Sequence, residues 1–152
     1  MGKKFEFKLE ALLKYRESRR DMCRQYLSQV LAEDQKLIDQ KTEIQNNYAE
    51  TEHHLKLLGQ SGQFEIDKAS VRRFHLGQLK LQMLQVDEQR RQLEEKLELC
   101  RKALLQADQE VKAIEKIKDK KISEHHYEQI KVENRELEEN WQAAQLGMNA
   151  GS

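Results

Sequence analysis

Proline is absent from all 152 residues, and glycine is scarce at six. Without proline, no helix has to end because of a missing amide hydrogen or a ring clash, so very long helices are open to this chain. Cysteine is nearly absent too: Cys23 and Cys100 are too few for a disulfide framework. Both fall on apolar stripes described below, where a reduced Cys behaves as a small hydrophobe. Excess charge of one sign is also lacking, because 27 basic residues balance 27 acidic ones. A balanced chain does not offer the net positive face that nucleic acid or an anionic membrane requires. No apolar run approaches the ~20 residues of a membrane span, and no signal-like apolar core follows the basic start. These absences lead us to expect a soluble, cytoplasmic protein with no transmembrane segment and no nucleic-acid partner.

What the chain does contain is 36% charged and 38% hydrophobic residues, rich in Gln, Glu, Lys, Arg and Leu. That is the composition of long helices. Disorder is the rival for so charged a chain, but here the apolar residues are phased rather than scattered. From Leu76 to Lys121 they repeat every seven residues: Leu76, Met83, Arg90, Leu97, Leu104 and Val111 at a, with Leu79, Val86, Leu93, Cys100, Ala107 and Ile114 at d. Only Arg90 interrupts the stripe before Lys118 and Lys121 end it. A sustained a/d pattern specifies a coiled-coil seam, which must be laid against a partner helix.

A second stripe supplies that partner. Leu9, Arg16, Cys23, Val30, Leu37, Ile44, Thr51 and Leu58 are spaced by seven, with uneven companions three or four residues on. Leu12, Leu13, Tyr26, Leu27, Tyr48 and Leu55 are apolar, whereas Arg19, Glu33, Gln40 and Asn47 are polar. Between the stripes lies one credible break, residues 59–70, where Gly59, Ser61 and Gly62 cluster. Gly59 suits the left-handed residue that closes a helix, and Asp67 or Ser70 suits the cap of the next. The fold expected is therefore all-α, an antiparallel coiled-coil hairpin with helix 1 over about 9–58, helix 2 over about 71–145 overhanging it, and a frayed tail from 146. Folding the chain at the break brings Leu9 near Lys118 to Lys121.

Two surfaces follow from this arrangement. Beyond Lys121 a new register begins, with Tyr127, Ile130, Asn134, Leu137, Trp141 and Ala144 spaced three and four apart, and no first-helix residues remain to cover it. Such a stripe is either a docking surface or a seam for self-association. Near the hairpin tip, Phe74 and Leu81 occupy f positions and Leu84 a b position, on the solvent side of the heptad. They either meet a partner or pack against Phe64 and Ile66.

Sites of chemistry are not evident. Gly59, Gly62 and Gly77 are not followed by the Lys and Ser/Thr of a phosphate-binding loop. The carboxylates sit on solvated helix faces with no pocket to shift them. His53 and His54, like His125 and His126, point about 100° apart on a helix, so neither pair grips one metal. The run Lys116, Lys118, Lys120 and Lys121 alternates with Glu115 and Asp119, as on a solvated helix. We expect no enzyme, no cofactor and no metal.

Both ends of the chain resemble the FliJ family of flagellar type III export proteins. Phe5, Phe7, Leu9, Glu10, Leu12, Leu13 and Arg16 are similar to that family's aromatic-x-aromatic-x-Leu-Glu opening. Glu133, Arg135, Leu137, Glu138 and Glu139 resemble its closing acidic motif, with Glu138 where the family usually carries Asp. The resemblance implies a two-helix coiled coil similar to the stalk subunit of rotary ATPases, placed peripherally at the inner face of the cell membrane. It implies three partners: the hexameric export ATPase, the cytoplasmic domain of the export-gate membrane protein, and export chaperones. Arg16, Arg19, Arg20 and the Glu133 to Glu139 helix would then enter the ATPase ring, and Phe74, Leu81 and Leu84 would face the gate. The equivalent protein of a virulence secretion system is the nearest variant, and a dimeric structural adaptor or spacer is the competing class.

Overall fold

The computed structural model of the protein describes residues 4–60 and 66–150, with Ala150 described in its backbone alone. Two helices account for nearly all of it: α1, Glu10–Gln60, and α2, Ile66–Ala150. They pack on each other as an antiparallel hairpin, since residue numbers rise on one as they fall on the other: Leu13 meets Val111, Val30 meets Leu97, and Ile44 meets Leu79. Strands are absent among the described residues.

The helix ends differ from expectation. Gly59 stays inside the helical last turn of α1 and takes no left-handed conformation. With no proline nearby and no Cβ clash to relieve, nothing forces the helix to close one residue earlier. Residues 61–65 lie outside the described residues, including the Ser61, Gly62 and Phe64 singled out above. α2 begins at Ile66, so Ser70 is internal to it, and Asp67 sits in the first turn where a carboxylate complements the helix dipole. At the far end α2 continues as helix through Leu146 and Gly147, where a frayed tail was expected.

Contacts divide the chain into two compact units. The unit Asp21–Leu105 holds two core clusters. Val30, Leu97 and Cys100 pack with Leu27 and Leu93, and Ile44, Leu79 and Val86 pack with Leu37, Tyr48 and Met83. On α2 the expected a and d positions are the ones turned inward. On α1 the companions four residues on, Leu27, Asp34, Lys41, Tyr48 and Leu55, are turned inward, while Tyr26, Glu33, Gln40 and Asn47 face out. The polar members of that row are matched across the seam. Arg90 Nε donates to Asp34 Oδ1 at 2.9 Å, and Lys41 Nζ donates to Asp87 Oδ1 at 2.6 Å. Arg90 is thus the counterpart of Asp34, and each satisfies the other where the apolar rows lapse. Hydrogen bonding to Asp34 holds the Arg90 guanidinium still more firmly in its charged form. Lysines also cover the aromatic margins, with Lys96 Nζ 5.6 Å from the Tyr26 ring centre and Lys80 Nζ 5.8 Å from that of Tyr48.

The second unit joins Met1–Arg20 to Gln106–Ser152. Its core is Leu13 against Val111 and Ile114, with Phe7 packed on them from the segment before α1. That segment turns into the helix through hydrogen bonds from Glu10 N to Phe7 O at 3.2 Å and from Leu13 N to Leu9 O at 2.9 Å. Arg16 pairs with Glu110, and Lys118 Nζ donates to Glu10 Oε2 at 2.9 Å. Lys118 therefore does not end the seam. The next a position, His125, is partly buried too, with the Phe5 ring centre 5.5 Å from its own. Phe5 and Phe7 both reach α2 and lengthen the packed stripe beyond the first residue of α1.

Candidate functional site

From Ile130 to Asn149 every residue of α2 is exposed. The helix persists here without packing, supported by good helix formers such as Glu, Gln, Ala and Leu. Counted in the heptad frame that begins at Leu76, Tyr127, Asn134 and Trp141 are c positions, and Ile130, Leu137 and Ala144 are f positions. The apolar stripe thus lies on the opposite face from the a/d seam, and Met148 continues it at c. Leu137 is 66% exposed and Trp141 61% exposed, large values for residues of this kind and size. Lys131 Nζ stands 5.1 Å from the Tyr127 ring centre, so one end of the stripe already holds a cation over an aromatic face.

The segment that carries this stripe is acidic. Residues 122–149 carry six carboxylates, Glu124, Glu128, Glu133, Glu136, Glu138 and Glu139, against Lys131 and Arg135, a net charge of −4 with histidines neutral. Glu133 occupies b on one margin of the stripe and Glu138 occupies g on the other, where Lys131 also lies, while Glu128, Glu136 and Glu139 fall at d, e and a on the opposite face. An aromatic and aliphatic line with a carboxylate on each margin makes a surface suited to binding.

The other residues named from the sequence lie apart from this stripe. Phe74, Leu81 and Leu84 belong to the Asp21–Leu105 unit and are all more than 60% exposed. Ile66 does not cover them, being 69% exposed itself, and Phe64 lies outside the described residues. The three arginines are unlike one another. Arg16 is partly buried and engaged with Glu110, Arg19 reaches the same carboxylate at 4.0 Å while staying open to solvent, and Arg20 is partly buried. Arg16 therefore spends its charge within the hairpin, which spacing alone did not reveal. The sequence also gave no sign that Phe5 reaches His125; the signal present was the alternation of Phe5 and Phe7 ahead of a helix start.

Cys100 is buried against Val30 and Leu97, and Cys23 is partly buried. Among the described residues no three His, Cys, Asp or Glu side chains are grouped so as to hold a metal ion, and no helix is long and apolar enough to cross a membrane. The fold and surfaces define a class, an all-α helical hairpin whose second helix outruns the first. Comparison with protein-family models, curated proteins and solved structures returns no match.

Proposed function

We propose that this protein is a non-enzymatic, stalk-like component of the flagellar type III export apparatus. In this role it binds the hexameric export ATPase and the cytoplasmic domain of the export gate, and couples ATP turnover to protein secretion. The observation that carries the reading is the overhang of α2, a helix with an uncovered apolar stripe held out by a paired hairpin. The similarity of the Phe5 to Arg16 opening and of the Glu133 to Glu139 motif to the FliJ family supplies the cellular setting. Under this reading the protein is cytoplasmic, works peripherally at the inner face of the membrane, and also meets export chaperones. The equivalent place in a virulence secretion system requires the same geometry.

A stalk acts by differential contact. If the overhang binds one conformation of the ring's subunits better than another, it shifts their populations by the difference in affinity, and turnover in the ring in turn biases the stalk. No chemistry on the stalk is needed. Pull-down with the export ATPase and with the gate's cytoplasmic domain tests this, comparing wild type with Trp141→Ala and Phe74→Ala. Truncating an aromatic anchor at the centre of an interface costs about 2 kcal/mol or more, so at least one interaction is expected to fall well over tenfold. If neither substitution weakens either interaction, the assignment fails. A dimeric adaptor is the second reading, favoured by the heptad spacing of the overhang stripe itself. A species of twice the chain mass in sedimentation would select it.

A further inference from the structure

What covers the c/f stripe of the overhang is decided by the residues around it. Consider first a second copy of the chain. Parallel pairing in register sets Tyr127, Asn134 and Trp141 on one core row and Ile130, Leu137 and Ala144 on the other. The flanking positions then bring Glu133 of each copy against Glu138 of the other, two repulsive contacts in place of the usual Glu–Lys pairs. Antiparallel pairing layers Trp141 on Ile130 and Tyr127 on Ala144, but it sets Asn134 against Leu137 twice. Each of those layers strips water from an amide and gives it no hydrogen-bonding group in return. The marginal Lys131–Glu138 pairs of that arrangement are solvent-exposed and do not offset the loss. Both arrangements also bring together two segments of net charge −4. Facing Asn134 side chains can satisfy each other in the parallel pairing, so what weighs against a second copy is its charge.

A partner of opposite charge meets neither obstacle. We infer that residues 127–148 of α2 are a docking face for a basic amphipathic helix of another protein. Tyr127, Ile130, Leu137 and Trp141 receive its apolar side, and Glu133 and Glu138, one on each margin, receive its Lys or Arg side chains. Asn134 then lies where the visitor can offer a polar group, and Lys131, on the margin of Glu138, stands 5.1 Å from the Tyr127 ring centre, which keeps its charge over that ring. The inference rests on the overhang being a docking face, as in the function proposed above, and not on the partner being the export ATPase.

Trp141 is the sole tryptophan of the chain, so its emission reports on this face alone. The test uses the full chain and three synthetic peptides of about 20 residues, enough for nearly three heptads of helix. One carries a leucine stripe with lysine margins, one the same stripe with glutamate margins, and one the lysine composition scrambled so that no stripe forms. The lysine-margined peptide is expected to shift Trp141 emission to the blue and to bind about tenfold or more tighter than the other two. Its affinity should fall about tenfold as salt screens the margins. Glu133→Lys with Glu138→Lys should weaken it as much, and so should Leu137→Ala, read by peptide anisotropy with helicity checked by circular dichroism. Equal binding of the glutamate-margined or scrambled peptide, or no emission shift, overturns the inference. So does a blue shift that grows with protein concentration alone, which would make a second copy the occupant. If the export ATPase is captured while the lysine peptide is not, this inference falls by itself. If the peptide binds as described while ATPase and gate do not, the export assignment falls and the docking face stands.

Discussion

Asp34 and Arg90 each read in isolation as a fault in an apolar stripe, yet together they hold the two helices in one alignment. Asp34 retains 19% of its side-chain exposure and Arg90 38%, so the pair is neither fully wet nor fully dry. Removing one partner leaves the other charge without its hydrogen bond across the seam, and Arg90→Ala or Asp34→Ala is expected to lower the urea midpoint. Replacing both with leucine removes the desolvation cost as well as the attraction, so Asp34→Leu with Arg90→Leu should return close to the wild-type midpoint or exceed it. Urea unfolding of the singles and the double in a cycle measures this, and strictly additive losses would show the pair is uncoupled. This level of detail was only half legible in the sequence. The companion row of α1 was open between three and four residues on, and spacing alone does not show that Arg90 and Asp87 stand opposite Asp34 and Lys41.

Among the elements, α2 was the most legible, because seven-residue spacing kept from Leu76 to Ile114 leaves one inward face and no alternative phase. The segment ahead of α1 was the least legible. A short irregular segment that ends in a turn carries no helical period, and its role depends on where α2 lies, which no local pattern encodes. Its packing has a measurable consequence. Phe7 rests on the cluster of Leu13, Val111 and Ile114, and Phe5 rests on His125. Phe7→Ala should therefore speed backbone hydrogen exchange in α2 between Val111 and His125 and leave Val86 to Cys100 at the wild-type rate, since local openings need not spread through the whole molecule. Uniform acceleration along α2, or no change near His125, would contradict the packing described here. Gly59 teaches the reverse lesson. A glycine near a suspected helix end invites a left-handed closure, but the backbone stays helical because glycine permits that turn without requiring it.

For the molecule as a whole, net charge near zero conceals a local imbalance, because residues 122–149 hold only two of the 27 basic residues beside six of the 27 acidic ones. That imbalance and the c/f stripe were both readable from the sequence once the register change after Lys121 was noticed. The partner was not, since charge and apolar spacing describe the chemistry of a visitor and not its identity. The claim on which the functional account turns is that the hairpin is scaffold and the overhang is the part that binds. Affinity for the export ATPase of a chain ended at Gln129, measured beside the full chain, tests it most directly. None of the buried residues is removed, so the urea midpoint should stay within the equivalent of about 0.5 kcal/mol. Binding should weaken by about tenfold or more, because Ile130, Leu137 and Trp141 are gone. A shortened chain that keeps both its stability and its full affinity would contradict the account.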